Sequence, residues 1–242
     1  MRTGPRLTGS LAVAALALAL LASPALAQDV TLSLGDEGSL TLRSMQLIAL
    51  LTVLSLAPGI AITVTCFPFI VTVLSILRQA IGLQASPPNM LIVSLAMFLT
   101  YFVMEPVFTE AYSAGLAPLA EGRMDPDAAF QATLQPFRAF MLARVDVETL
   151  EHLRGLRPAT ETDALSVLIP SFLLSEISRA FQIGFLVFMP FLIIDMVAAA
   201  VLMSMGMMMV PPAIVSLPFK LAFFVVVDGW TLVSGALVRS YM

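Results

Sequence analysis

Met205-Gly-Met-Met-Met-Val-Pro-Pro212 interrupts an apolar run from Phe181 to Val238 in which only Asp195, Lys220 and Asp228 are charged. The two arms, roughly Phe181 to Met205 and Ala213 to Val238, each have the length of a bilayer crossing. Gly206 and the Pro211-Pro212 pair mark a tight turn between them. A soluble protein has no reason to expose so much apolar surface, and a simple lipid anchor has no reason to keep charges inside it. The pattern predicts a helical hairpin that packs with others around a path.

Asp195 and Lys220 lie about 12 residues before and after the turn centre, so at about 1.5 Å per residue both sit about 18 Å from it. Opposite charges at one depth can neutralise each other, within one hairpin or between neighbouring copies. An unpaired charge at mid-membrane would cost several kcal/mol, so a partner is expected. The pair then either fixes the register of assembly or, in the sharper reading, lets Asp195 relay a proton. Pro190 and Pro218 also fall at nearly matching depth and are expected to break both arms together. Met205, Met207, Met208 and Met209 admit two readings. They fill an irregular core, or they ring a pore as flexible thioethers that close it against ions and yield to a passing chain.

Composition agrees with the membrane class: 59% of the 242 residues are hydrophobic, 12% are charged, and mean hydropathy is +0.97. A net charge of −4 gives no basic footprint for nucleic acid. Cys66, the one cysteine, excludes an intrachain disulfide and reads as a small buried residue. His152 stands among Glu148, Glu151 and Arg154 as a solvated surface residue, and no metal or cofactor site is expected. The amino terminus reads as a secretory signal: Arg2 and Arg6, the apolar core Leu11 to Leu21, and the small residues Ala25 and Ala27 before a cleavage point. The predicted layout is a cleavable signal at 1–27, a polar leader at 28–44, apolar helices at 45–108, a hydrophilic helical segment at 109–163 and the carboxyl-terminal hairpin at 164–242.

Within that layout, Pro58-Gly59 and Pro68 are expected to divide the apolar stretch Met45 to Ile81, and Gln84 to Asn89 forms a turn. A second apolar segment, Met90 to Phe108, is expected to stop near Glu105-Pro106. Glu110 to Asp163 holds nine acidic and five basic residues and belongs in water. Asp125-Pro126 there reads as a helix start, followed by the stripe Phe130, Leu134, Phe137 and Met141. Arg78, Glu176, Arg179 and Asp228, charges set in apolar surroundings, are expected to be buried. With the cut amino terminus outside, four crossings put the hydrophilic segment and the carboxyl terminus outside as well, which makes that segment extracytoplasmic.

No enzyme chemistry emerges. Asp195 in Ile-Ile-Asp-Met and Asp228 in Val-Asp-Gly-Trp lack the Gly-x-Gly-Asp setting of an intramembrane aspartyl protease, the apolar stretches hold no histidine, and no phosphate loop is present. The halves show no internal similarity of the kind found in solitary transporters.

Pro170-Ser-Phe-Leu-Leu-Ser-Glu-Ile-Ser-Arg-Ala-Phe-Gln-Ile-Gly184 and Pro190-Phe-Leu-Ile-Ile-Asp-Met-Val197 resemble signatures of the FliP family. Met205 to Pro212, Ser216-Leu-Pro-Phe-Lys220 and Asp228-Gly-Trp230 continue the likeness. Upstream, Val73 to Gly82, Pro87-Pro-Asn89 and Phe98 to Met104 fit too, so it covers nearly the whole chain after the signal. The resemblance implies an all-α membrane protein whose hairpins assemble into a hetero-oligomeric gate for flagellar type III protein export in the bacterial inner membrane. It implies a ring of several copies with FliQ and FliR, association with FlhA and FlhB, passage of unfolded flagellar proteins, and a sealing role for the Met turn. It also implies that the hairpins sit partly lifted out of the bilayer. An injectisome-type gate and a pure assembly scaffold are the alternatives. Three departures stand out: Pro68-Phe69 where the family usually has Thr-Arg, the charge of Glu105, and the segment after Leu142.

Overall fold

The computed structural model describes residues 37–82, 87–156, 164–207 and 209–242. The signal with Ala25 and Ala27, most of the leader, and Met208 lie outside the described residues. The chain divides into two compact units, residues 1–52 and 53–242. All described secondary structure is helical. Helix α1 (Glu37–Thr63) opens the described chain. It runs through Pro58-Gly59, and the break in the apolar stretch falls instead at Val64 to Cys66.

Helix α2 (Phe67–Ile81) is the hub of the larger unit. Proline near its first position fits the start of a helix, and Gly82 closes it in the left-handed conformation (φ 88°). Phe69, Ile70, Val73, Leu74, Leu77, Ala80 and Ile81 recur at helical spacing and are all buried. They pack against α3 (Asn89–Ala111), α7 (Leu165–Ser204) and α8 (Pro212–Val226). At 15 residues α2 is about 22 Å long, too short to cross a hydrocarbon layer of about 30 Å. It is a protein-buried core helix rather than a crossing.

Helix α3 does not stop at Glu105-Pro106. It continues through a π-helical turn (Tyr112–Leu116) into α4 (Ala117–Ala120), a 32-residue run. The expected boundary at residue 108 therefore falls inside continuous helix. Pro170 and Pro190 likewise sit inside the 40-residue α7, and Pro218 inside α8. The predicted double break of the arms is absent. One proline forfeits one i→i−4 hydrogen bond, whereas unwinding a turn in an apolar medium would leave several backbone groups unpartnered, so the helix carries through. The second arm breaks elsewhere, by 61° between α8 and α9 (Gly229–Arg239).

Among the described residues, two helices are long and apolar enough to cross a membrane, and a third if the bent pair α8–α9 is one span. Four crossings were expected; of the stretch Met45 to Ile81, α2 does not count because at 15 residues it is too short to span. Helix α7 is about 60 Å long, twice a hydrocarbon thickness, so it extends beyond the hydrocarbon or lies strongly tilted.

Helix α5 (Pro126–Arg144) starts where expected, with Asp125 extended before Pro126. Its inner face follows the expected stripe at Leu134, Phe137 and Met141 and departs from it at Phe130. Phe130 is exposed, while Ala129 and Met141 are buried and Phe137 packs on Phe108 at 5.8 Å between ring centroids. The small residues Ala129 and Thr133 face Gly115 of the π turn, and of the stripe the inward face leaves out only Phe130. Asp146 caps α6 (Val147–Gly155), its carboxylate accepting from Thr149 N–H and Oγ1–H, each at 2.9 Å. These bonds hold the Asp146 carboxyl below its ordinary range. A depressed folded value means that the stabilisation is present at neutral pH and is lost as pH falls through that value. The Thr149 amide should accordingly lose protection from hydrogen exchange in acid, and Asp146→Ala should remove that pH dependence.

Candidate functional site

The Met turn is built by the backbone. Gly206 takes φ 74° after α7 ends, Gly206 N–H donates to Met203 O at 3.1 Å, and Met207 N–H donates to Leu202 O at 3.0 Å. This pair of bonds is a Schellman closure, which needs a residue without a Cβ at the left-handed position. Pro211 is extended, and Pro212 supplies the first turn of α8 with a fixed φ and no orphan N–H. Met205 is 67% exposed, Met207 42% and Met209 98%, so these three do not fill the core of the single chain. They crown the hairpin.

Below the crown, Asp195 of α7 and Lys220 of α8 meet within the one chain, Nζ to Oδ2 at 2.6 Å. Ser216 Oγ donates to the other carboxylate oxygen at 2.5 Å, and Lys220 Nζ also donates to Ala80 O of α2 at 3.1 Å. Lys220 and Ser216 are buried, whereas Asp195 is half-buried beside a cleft of about 850 Å³ lined in part by Thr72, Ser75, Arg78 and Gln79. Sequence reasoning missed Ser216. Its spacing of four from Lys220 on one helix face was the available signal.

The four other charges separate. Glu176 is fully buried and Arg78 and Arg179 are half-buried. Arg78 donates to Asn89 Oδ1 and to Pro87 O, tying the end of α2 to the start of α3. Asp228, expected inside, is exposed. It occupies the corner between α8 and α9 in the left-handed conformation (φ 48°), which aspartate tolerates better than most residues. The core side of that corner is filled by Gly229, against the Phe224 ring, and by Trp230, whose ring lies 5.3 Å from that of Phe224.

Glu176 organises a second polar cluster. Tyr241 OH donates to its Oε2, and Arg144 Nε stands 3.6 Å from its Oε1. Arg144 also lies over the Tyr241 ring at 4.0 Å and donates from Nη1 to Ser240 O at 2.7 Å. Burial, reinforced by the Glu176 carboxylate, holds the Tyr241 phenol above its ordinary range, so it remains a donor. At the departure Pro68-Phe69 no cation stands: Phe69 is buried edge-on against Tyr241, and the cation facing Glu176 comes from Arg144. Arg144 and Tyr241 meet Glu176 from distant parts of the chain, and no local pattern announced them.

Long apolar helices, charges paired between helices and helical structure throughout the described residues define an all-α membrane protein. The FliP family description matches residues 50–237, and the chain belongs to the FliP family. It is similar to the Flagellar biosynthetic protein FliP of Caulobacter vibrioides, 52% identical over 236 residues (95% of this chain, 88% of that protein). Proteins of the same name from Agrobacterium fabrum and Bacillus subtilis are 46% identical over 212 residues and 45% over 203. They align with 85% and 82% of this chain, and with 86% and 92% of their own lengths.

Proposed function

We propose that this chain is a core, non-enzymatic pore subunit of the flagellar type III export apparatus in the bacterial inner membrane. Its work is to pass unfolded flagellar proteins. Family membership supports the flagellar export role, and the name shared by the three relatives favours it over an injectisome gate. The observation that carries the pore role is the Met turn: exposed thioethers held at the tip of a hairpin by a glycine closure and steadied lower down by the Asp195–Lys220 pair. Soft, unbranched side chains can interdigitate between copies to exclude ions and still move aside for a chain. In this reading Met205, Met207, Met208 and Met209 form the seal. FliQ and FliR complete the ring, FlhA and FlhB dock on it, the signal is cut after Ala27, and residues 109–163 face outward.

Deleting the gene should abolish filaments and the appearance of flagellar proteins in the medium, and a plasmid copy should restore both. Normal secretion of flagellar proteins by the deletion strain would overturn the export role.

A further inference from the structure

Helix α2 ends at Ile81, and the last four carbonyls of an α-helix have no intrahelical donor. The Gly82 N–H serves Gln79 O, and Lys220 Nζ serves Ala80 O at 3.1 Å, across 140 residues of sequence. The same ammonium, only 6% exposed, holds Asp195 at 2.6 Å. Each of its two partners thus comes from a different helix, and its own stem belongs to a third. A cation at a helix carboxyl end also meets the negative end of the helix dipole.

From this geometry we infer that Lys220 is a positioning residue for the hairpin: it fastens both arms to the carboxyl-terminal turn of α2, and Asp195 supplies the countercharge rather than the attachment. A simple ion pair can be removed whole. Replacing both partners by neutral groups of similar size is often without cost. A clamp cannot be removed that way, because the buried Ala80 then loses the donor that Lys220 gives its carbonyl, the one such donor among the described residues. The inference does not rest on the Met turn sealing a pore, since it concerns only how the hairpin is held.

The test is hydrogen exchange of the full-length protein in detergent, read at the amides of Ala80 to Gly82, for four variants. Asp195→Asn alone strands the Lys220 charge and lowers global stability, yet Lys220 still donates to Ala80 O, so exchange at these three amides should rise no more than in the rest of α2. Lys220→Met, and the neutral double variant Asp195→Asn with Lys220→Met, should each raise it about tenfold. Asp195→Asn with Lys220→Gln keeps a neutral donor one bond shorter than lysine and should return exchange part of the way to the native rate. Native exchange in the Asn–Met double variant would overturn the clamp and leave an ordinary ion pair. If Lys220→Met alone fails to fold, the two double variants carry no buried countercharge and still decide between the readings.

Discussion

Arg144→Ala is expected to destabilise the protein by about 3–5 kcal/mol, as removal of one partner from a buried charge pair does. Glu176 would keep the Tyr241 hydroxyl and the longer-range pull of Arg179, but its fully buried carboxylate would lose the cation paired with it. The loss also removes the cover over the Tyr241 ring and the bond to Ser240 O, so α5, α7 and the segment after α9 would separate at one point. Thermal unfolding in detergent measures it. Arg144→Met combined with Glu176→Gln should recover much of the loss, since neither neutral group strands a charge. An Arg144→Ala protein as stable as the parent would show that the cluster does not bind these elements together.

The second large effect is expected at the π turn. A methyl group on Gly115 would overlap Thr133 Oγ1 and lie 2.6 Å from Ala129 O and 2.8 Å from Thr133 N. Two of these atoms are backbone, so relief requires α5 to shift as a body. Alanine is the better helix former by about 1 kcal/mol. Overpacking a close contact costs about 1–3 kcal/mol or more, and here the obstruction is not a flexible side chain, so the clash wins. Gly115→Ala should lower the unfolding midpoint and make residues 126–144 more sensitive to protease. An unchanged midpoint with unchanged cleavage would mean that α5 does not seat against the turn.

Much of this architecture could be read from the chain. The hairpin and its turn are legible because Gly206 and Pro211-Pro212 interrupt a run with almost no charge. The meeting of Asp195 with Lys220 follows from equal spacing about the turn together with the cost of a lone buried charge. The reading failed where local rules meet a low-dielectric setting. Pro106, Pro190 and Pro218 look like breaks by the rules of water, yet helices continue through all three. It also failed for α2, whose apolar composition suits lipid and protein core alike, and whose burial is decided by the helices packed around it. Asp228 misled for a related reason: an apolar neighbourhood in sequence became a solvent-facing corner in the fold. The Glu176 cluster was half visible, the acid in its motif and its partners nowhere near it. Contacts that span 65 and 96 residues leave no periodic trace.

The seal is the central claim, and small-ion leakage tests it most directly. Met207, Met208 and Met209 are replaced together by alanine, the other gate subunits are co-expressed, assembly is checked by purification of the complex, and membrane permeability is followed. The account predicts an assembled complex and a membrane that leaks ions. An assembled complex in a membrane as tight as the parent's would contradict it.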